Sequence, residues 1–173
     1  MIRRDDELSA VYLKPGQMYF SESPAMVITV LGSCVAITMF NRRLGLAAIC
    51  HGMLPLCRAG AICPTNCAEG YRYVDCSIRK MAKLFDRHGV KRREIEVKCF
   101  GGSDMFFRAP SRETASVGKQ NLTIAEQTLT VEGFSLKVSD VGGSRGRKIY
   151  FYTDTGDVFL KRLTKVEDPD IKW

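Results

Sequence analysis

Cys34 and His51 are the residues around which chemistry could be built. The chain holds two histidines and seven cysteines. The other histidine, His88, precedes Gly89 at an expected helix end, where it complements the helix dipole. If a cysteine has a histidine partner, that partner is therefore His51. A thiol becomes a nucleophile when a nearby base or oriented dipoles lower its pKa. His51 would take the thiol proton, giving a thiolate–imidazolium pair. A third group usually orients such an imidazole. Thr29, on the strand before Cys34, is the candidate, through its hydroxyl or its backbone carbonyl. Gly32 and Ser33 let the backbone approach a substrate, and amides near Cys34 could serve an oxyanion. This set suits acyl transfer from an amide or ester through a thioester. Spacing alone leaves a second reading open: a structural cysteine in an apolar strand and a hydrogen-bonded histidine at a strand end.

The elements that must position these residues lie between Met26 and Pro55. Apolar runs cover Met26 to Leu31, Val35 to Phe40 and Leu44 to Cys50, and the last ends on His51. Short apolar runs bounded by turn signals predict buried strands. The polar gap Asn41-Arg42-Arg43 makes the second and third a hairpin. With Arg42 and Arg43 as a two-residue loop, Asn41 faces Leu44 and Cys34 faces His51, on one side of the sheet. Arg-Arg is a poor two-residue loop. Asn41 with Gly45 could equally form a longer, bulged turn that leaves the two groups diagonal.

Elsewhere, Val11 to Phe20 reads as a strand or arm broken at Pro15-Gly16. Ser21 to Pro24 is a loop. Tyr71 to His88 is the clearest helix, with Val74, Ile78, Met81, Leu84 and Phe85 at helical spacing and with Asp75 and Gly89 as capping signals. Ile95 to Phe100 alternates like a half-buried strand, and Gly101-Gly102-Ser103 reads as a tight turn closing it. Ser116 caps a second helix over Val117 to Val131 that ends at Gly133. Phe134 to Val138 is a short strand. Asp140 to Arg147 is a flexible glycine-rich loop with two arginines, lacking the ending of a P-loop. Lys148 to Thr153 and Asp157 to Leu163 form a hairpin around Asp154-Thr155-Gly156. Between Leu56 and Gly70, Cys57, Cys63 and Cys67, with Cys76 beyond, invite a metal hypothesis. Zinc sites usually show two close cysteine pairs, and only Cys63 to Cys67 supplies half of that. Unligated loop thiols are the reading, with no metal.

The 173 residues are 45% hydrophobic and 26% charged, which suits one globular domain. It is read as a single domain over 1–173, with its core at about 11–163 and a charged tail at 164–173. No apolar run approaches the roughly 18 residues that span a bilayer, so membrane insertion is not expected. The N-terminus does not read as a signal peptide. A cytoplasmic setting with reduced thiols follows as the expectation. The net charge of +7 favours acidic partners. The basic residues are scattered and no nucleic-acid-binding motif appears, so nucleic acid is not expected as a partner.

These residues together resemble the CheD family of bacterial chemoreceptor glutamine deamidases. The resemblance runs from about Val11 to Leu163. It rests on Pro15-Gly16, Thr29 with LGSC (Leu31 to Cys34), His51 with Met53-Leu54-Pro55, and YVD (Tyr73 to Asp75). It continues through KCFGG (Lys98 to Gly102), VGKQN (Val117 to Asn121) and GGSRGR (Gly142 to Arg147). The resemblance implies an α+β layered sandwich of β-sheet with flanking helices, similar to the deamidase domain of cytotoxic necrotising toxins. It implies a protein-glutamine glutaminase that converts glutamines of methyl-accepting chemotaxis receptors to glutamate and ammonia. The new glutamates can be methylated, which tunes adaptation. The implied triad is Cys34 as nucleophile, His51 as proton carrier and Thr29 as its orienter, with no cofactor. The resemblance also implies docking on the chemotaxis phosphatase CheC. An adaptor role on receptor or phosphatase, with deamidation secondary, is the alternative.

Overall fold

The computed structural model describes residues 8–57, 70–104 and 115–164. Nine strands and two α-helices follow in the order β1 (Ser9–Tyr12), β2 (Met18–Ser21), β3 (Ala25–Leu31), β4 (Val35–Asn41), β5 (Leu46–Gly52), α1 (Val74–Arg87), β6 (Glu96–Gly101), α2 (Val117–Val131), β7 (Leu136–Val141), β8 (Arg147–Tyr152) and β9 (Val158–Arg162). The strands form two sheets, ordered β1-β3-β8-β9 and β2-β5-β4-β6-β7. This is the expected α+β layered sandwich.

Two apolar layers hold it together. On one face of the five-stranded sheet, Ile37, Met39, Ala48 and Cys50 meet Ile78, Met81 and Phe85 of α1 and Leu129 of α2. On its other face, Ala36, Phe40, Ala47 and Ile49 meet Val27, Leu31, Ile149 and Phe151 of the smaller sheet. Both faces of β4 and β5 are thus covered, and all seven residues of each are buried. That is why these strands read as unbroken apolar runs rather than alternating ones.

Of the two turns the sequence leaves open, the longer one between Asn41 and Gly45 forms, not the two-residue Arg42-Arg43 loop. Asn41 pairs with Leu46, and His51 pairs with Ala36 rather than Cys34. The loop has four residues, 42–45, instead of two. Asn41 Oδ1 accepts the Leu44 amide hydrogen at 2.9 Å, and Gly45 closes the turn at φ +66°, a conformation that glycine adopts without strain. Side chains alternate with a period of two. A two-residue shift therefore keeps Cys34 and His51 on a common face and makes them diagonal neighbours, for which the Cα separation is about 7–8 Å.

The chain crosses between the sheets after β1, β2, β3 and β7. The Gly32–Cys34 segment is one such crossing. The Pro15-Gly16 break lies in another, and β1 and β2 accordingly sit in different sheets. Among helices, Ser116 Oγ accepts the Lys119 amide hydrogen at 3.3 Å as the α2 cap, as expected. For α1 the cap position is Tyr73, with no side-chain cap. Asp75 instead lies in the first turn, where it accepts the Cys57 amide hydrogen at 3.2 Å and pairs with Arg79 at 3.0 Å. β7 starts two residues later than expected and extends to Val141. The hairpin of β8 and β9 forms where the sequence places it. Residues 165–173 of the charged tail lie outside the described residues. No helix among the described residues is long and apolar enough to cross a membrane.

Candidate active site

His51 is built into its position from three sides. Its amide donates to the Gln17 carbonyl at 2.9 Å, and its carbonyl accepts from the Gly16 amide at 2.8 Å. The Pro15-Gly16 arm therefore fixes its backbone. Its ring is 1% exposed. Thr29 reaches it from β3, in the opposite sheet, with Oγ1 2.7 Å from Nδ1. Of the two routes open to Thr29, the hydroxyl is the one used. That hydroxyl donates its own hydrogen to the Leu13 carbonyl at 2.8 Å. Its oxygen must then accept from His51, so Nδ1 carries the ring proton and Nε2 presents a lone pair. Nε2 is buried and has no protein partner among the described residues. An oriented imidazole with a free basic nitrogen is what a thiol nucleophile requires.

Cys34 is half-buried and packs against the apolar layer between the sheets. Ala47 and Ile49, which alternate with His51 along β5, belong to the same layer. Burial pushes the Cys34 thiol up from its ordinary value, partly offset by its own backbone amide. Burial brings His51 down to about 4, partly offset by a contact to the Leu13 carbonyl. Both directions favour neutral forms. Among the other cysteines, burial raises Cys50 to about 11 and Cys99 to about 12, which suits inert core thiols. Cys57 is half-buried and Cys76 buried. Cys63 and Cys67 lie outside the described residues, and no metal-binding cluster occurs among the described ones.

The Gly32–Cys34 crossing is held by its carbonyls. Gly32 accepts from the Ser103 amide and Cys34 from the Gly102 amide, each at 2.8 Å. Ser33 accepts from Asn121 Nδ2 at 3.0 Å. Gly101, at φ +103°, lies so close beneath that a Cβ there would stand 2.2 Å from the Cys34 oxygen. The glycines read as a tight turn are thus the wall behind Cys34. That wall is fastened in turn by Arg147, which is 1% exposed. Its guanidinium donates to Ser103 Oγ at 2.5 Å, to the Gly142 carbonyl at 2.7 Å and to Asp140 at 2.6 Å. The expected flexible loop with two arginines is corrected here. Arg147 begins β8 and is a buried staple, because its neighbours' carbonyls and Asp140 converge on it.

Sequence reasoning brought forward Thr29, Gly32, Ser33, Cys34 and His51; the structure joins Thr29 to His51 by a hydrogen bond and sets Gly32, Ser33 and Cys34 in the β3–β4 crossing, next to the end of the β4–β5 ladder that holds His51. It did not single out Leu13, Ser103, Asn121 or Arg147. Leu13 acts through a backbone carbonyl that any residue supplies, and Ser103 through its amide together with its hydroxyl. Asn121 and Arg147 appear in the sequence only as letters of short motifs.

A family profile described as CheD chemotactic sensory transduction matches residues 53–162. Three curated relatives extend the likeness over nearly the whole chain. A probable chemoreceptor glutamine deamidase CheD 2 of Geobacter sulfurreducens is 47% identical over 167 residues, covering 96% of this chain and 98% of the relative. A probable chemoreceptor glutamine deamidase CheD of Oleidesulfovibrio alaskensis is 39% identical, covering 92% and 75%. That of Maridesulfovibrio salexigens is 36% identical, covering 95% and 98%. Among solved structures, the hypothetical protein YfiH of Bacillus licheniformis aligns with a TM-score of 0.46 at 10% identity, over 70% of this chain and 49% of that one, a likeness too loose to carry an argument. With a profile spanning well over half its length and relatives this similar end to end, the chain belongs to the CheD family.

Proposed function

We propose that the chain deamidates glutamine side chains on the cytoplasmic domain of methyl-accepting chemotaxis receptors, with Cys34 as the nucleophile. The observation that supports this reading is the Thr29–His51 contact, which fixes the ring tautomer and leaves Nε2 without a protein partner among the described residues. The names of the relatives supply the substrate class.

The Cys34 sulfur attacks the amide carbon of the glutamine as its proton passes to His51 Nε2. The carbonyl oxygen becomes an oxyanion. The carbonyls of Gly32, Ser33 and Cys34 are engaged by the protein, and their N–H groups are the candidate donors to the oxyanion. One such donor contributes about 10²–10³ in rate. His51 then returns the proton to the nitrogen, the C–N bond breaks, and ammonia leaves a thioester. Water attacks that thioester as Nε2 takes one of its protons. Collapse releases glutamate and restores the thiol. Thr29 keeps the imidazole in one tautomer and one orientation throughout. The +7 charge suits an acidic receptor surface, and a substrate on a receptor's cytoplasmic domain calls for an enzyme that works in the cytoplasm.

The test is intact mass of a purified receptor cytoplasmic domain, with and without the protein. The expected result is one amide-to-acid mass increment per site together with ammonia release. Cys34→Ala abolishes both while the protein still binds receptor. Docking on the chemotaxis phosphatase CheC, implied by the family resemblance, would survive the same substitution. Undiminished ammonia release by Cys34→Ala would end the catalytic reading.

A further inference from the structure

Asn121 is buried at 0% exposure on the second turn of α2. Its single amide nitrogen donates to two carbonyls, Ser33 and Met53, each at 3.0 Å. Ser33 immediately precedes Cys34. Met53 follows His51 by two residues. The β4–β5 ladder ends at the pair Val35 and Gly52, so Cys34 has no rung of its own. Asn121 spans the two chains just beyond that last pair and supplies a rung from a third element.

The depth of that rung is itself fixed. At Gly118, one turn earlier, an added Cβ would lie 2.7 Å from the Gly102 carbonyl oxygen and 2.8 Å from that of Ser103. Helix α2 therefore rests directly on the wall behind Cys34. Both Nδ2 hydrogens of Asn121 are committed to protein carbonyls, so this amide is not an oxyanion donor and does not hold substrate. Its Oδ1 is buried with no protein partner among the described residues. Buried polar atoms are normally satisfied, so the useful half of this side chain is the donor half.

We infer that Asn121 is a positioning residue for the deamidation, setting the separation between the Cys34 thiol and His51 Nε2 by tying the two strand ends together. This rests on the reading of Cys34 as nucleophile and His51 as base. A diagonal pair has no ladder bond to fix its spacing, and a misplacement of about 1 Å between reacting groups costs on the order of 10²-fold in rate.

The experiment compares Asn121→Ala and the shape-preserving Asn121→Leu with Leu129→Ala. The last removes core packing from the same helix without touching the turn. Turnover is followed on the receptor cytoplasmic domain at a temperature where circular dichroism shows each variant folded. Both Asn121 variants are expected to lose about 100-fold in kcat, with KM within about threefold of the parent. Leu129→Ala is expected to lose stability and keep kcat. An Asn121 variant that folds and keeps kcat within about threefold overturns the inference, as does a rise in KM alone. So does failure of both to fold, which would make the amide a determinant of the fold instead. Cys34→Ala, assayed alongside, separates the two levels. If it stays active, the underlying catalytic reading falls. If it is dead while Asn121→Ala is fully active, only the positioning role falls.

Discussion

His51 is held neutral by its surroundings, and that has a measurable signature. Its folded pKa, about 4, lies below the ordinary value for histidine, so the unfolded chain binds the proton more readily between the two. The stabilising contribution is complete above about pH 6.5 and is lost as pH falls toward about pH 4. Between about pH 7.5 and about pH 5 this single residue should cost the fold on the order of 2 kcal/mol. Urea midpoints at the two pH values check it, with His51→Gln expected to show a flatter dependence than the parent. The same neutrality keeps Nε2 able to accept a proton throughout the neutral range. Residue by residue, much of the site is legible from chemistry alone. One of two histidines, a cysteine after a Gly-Ser break and a threonine on the preceding strand are distinctive letters. The Leu13 carbonyl that sets the tautomer is not legible, because every residue has a carbonyl.

Strands β3, β4 and β5 are legible as apolar runs because both sheet faces of β4 and β5 are buried. Their register is not, because it depends on the Asn41 side chain folding back on the loop and on the φ of Gly45. A count from Arg-Arg alone lands two residues out. Parity protects the functional conclusion: a two-residue slip keeps Cys34 and His51 on one face, whereas a one-residue slip would have parted them. The end of β6 behaves differently. Gly101 to Ser103 reads as an ordinary turn, yet its close approach to Cys34 leaves no room for a side chain. Gly101→Ala is therefore expected to destabilise by roughly 2–4 kcal/mol and to abolish turnover by displacing the Cys34 backbone. Gly45→Ala is the comparison. It carries the same left-handed strain with nothing within 4 Å of the added carbon, and should cost about 1 kcal/mol with activity intact. Thermal unfolding and ammonia release report the two effects separately.

Across the whole molecule, the site is shared between the two sheets. Cys34 stands at a crossing, His51 belongs to the five-stranded sheet, and Thr29 belongs to the four-stranded one. Arg147, opposite Leu31 where β8 meets β3, fastens the β7–β8 crossing to the wall behind the β3–β4 crossing. Arg147→Lys cannot reproduce a planar fork with several fixed acceptors and leaves buried carbonyl and hydroxyl groups without donors. It is expected to lower stability by roughly 1–3 kcal/mol, read as a urea midpoint with unchanged m-value. Asp140 keeps a partner in Arg162, so no charge is stranded. The strand order β1-β3-β8-β9 also sets a timetable. Thr29, Cys34 and His51 are all synthesised before β8, the strand that borders Thr29 and braces the crossing. A nascent chain thus carries Cys34 without the strand that borders Thr29 until the β8–β9 hairpin docks.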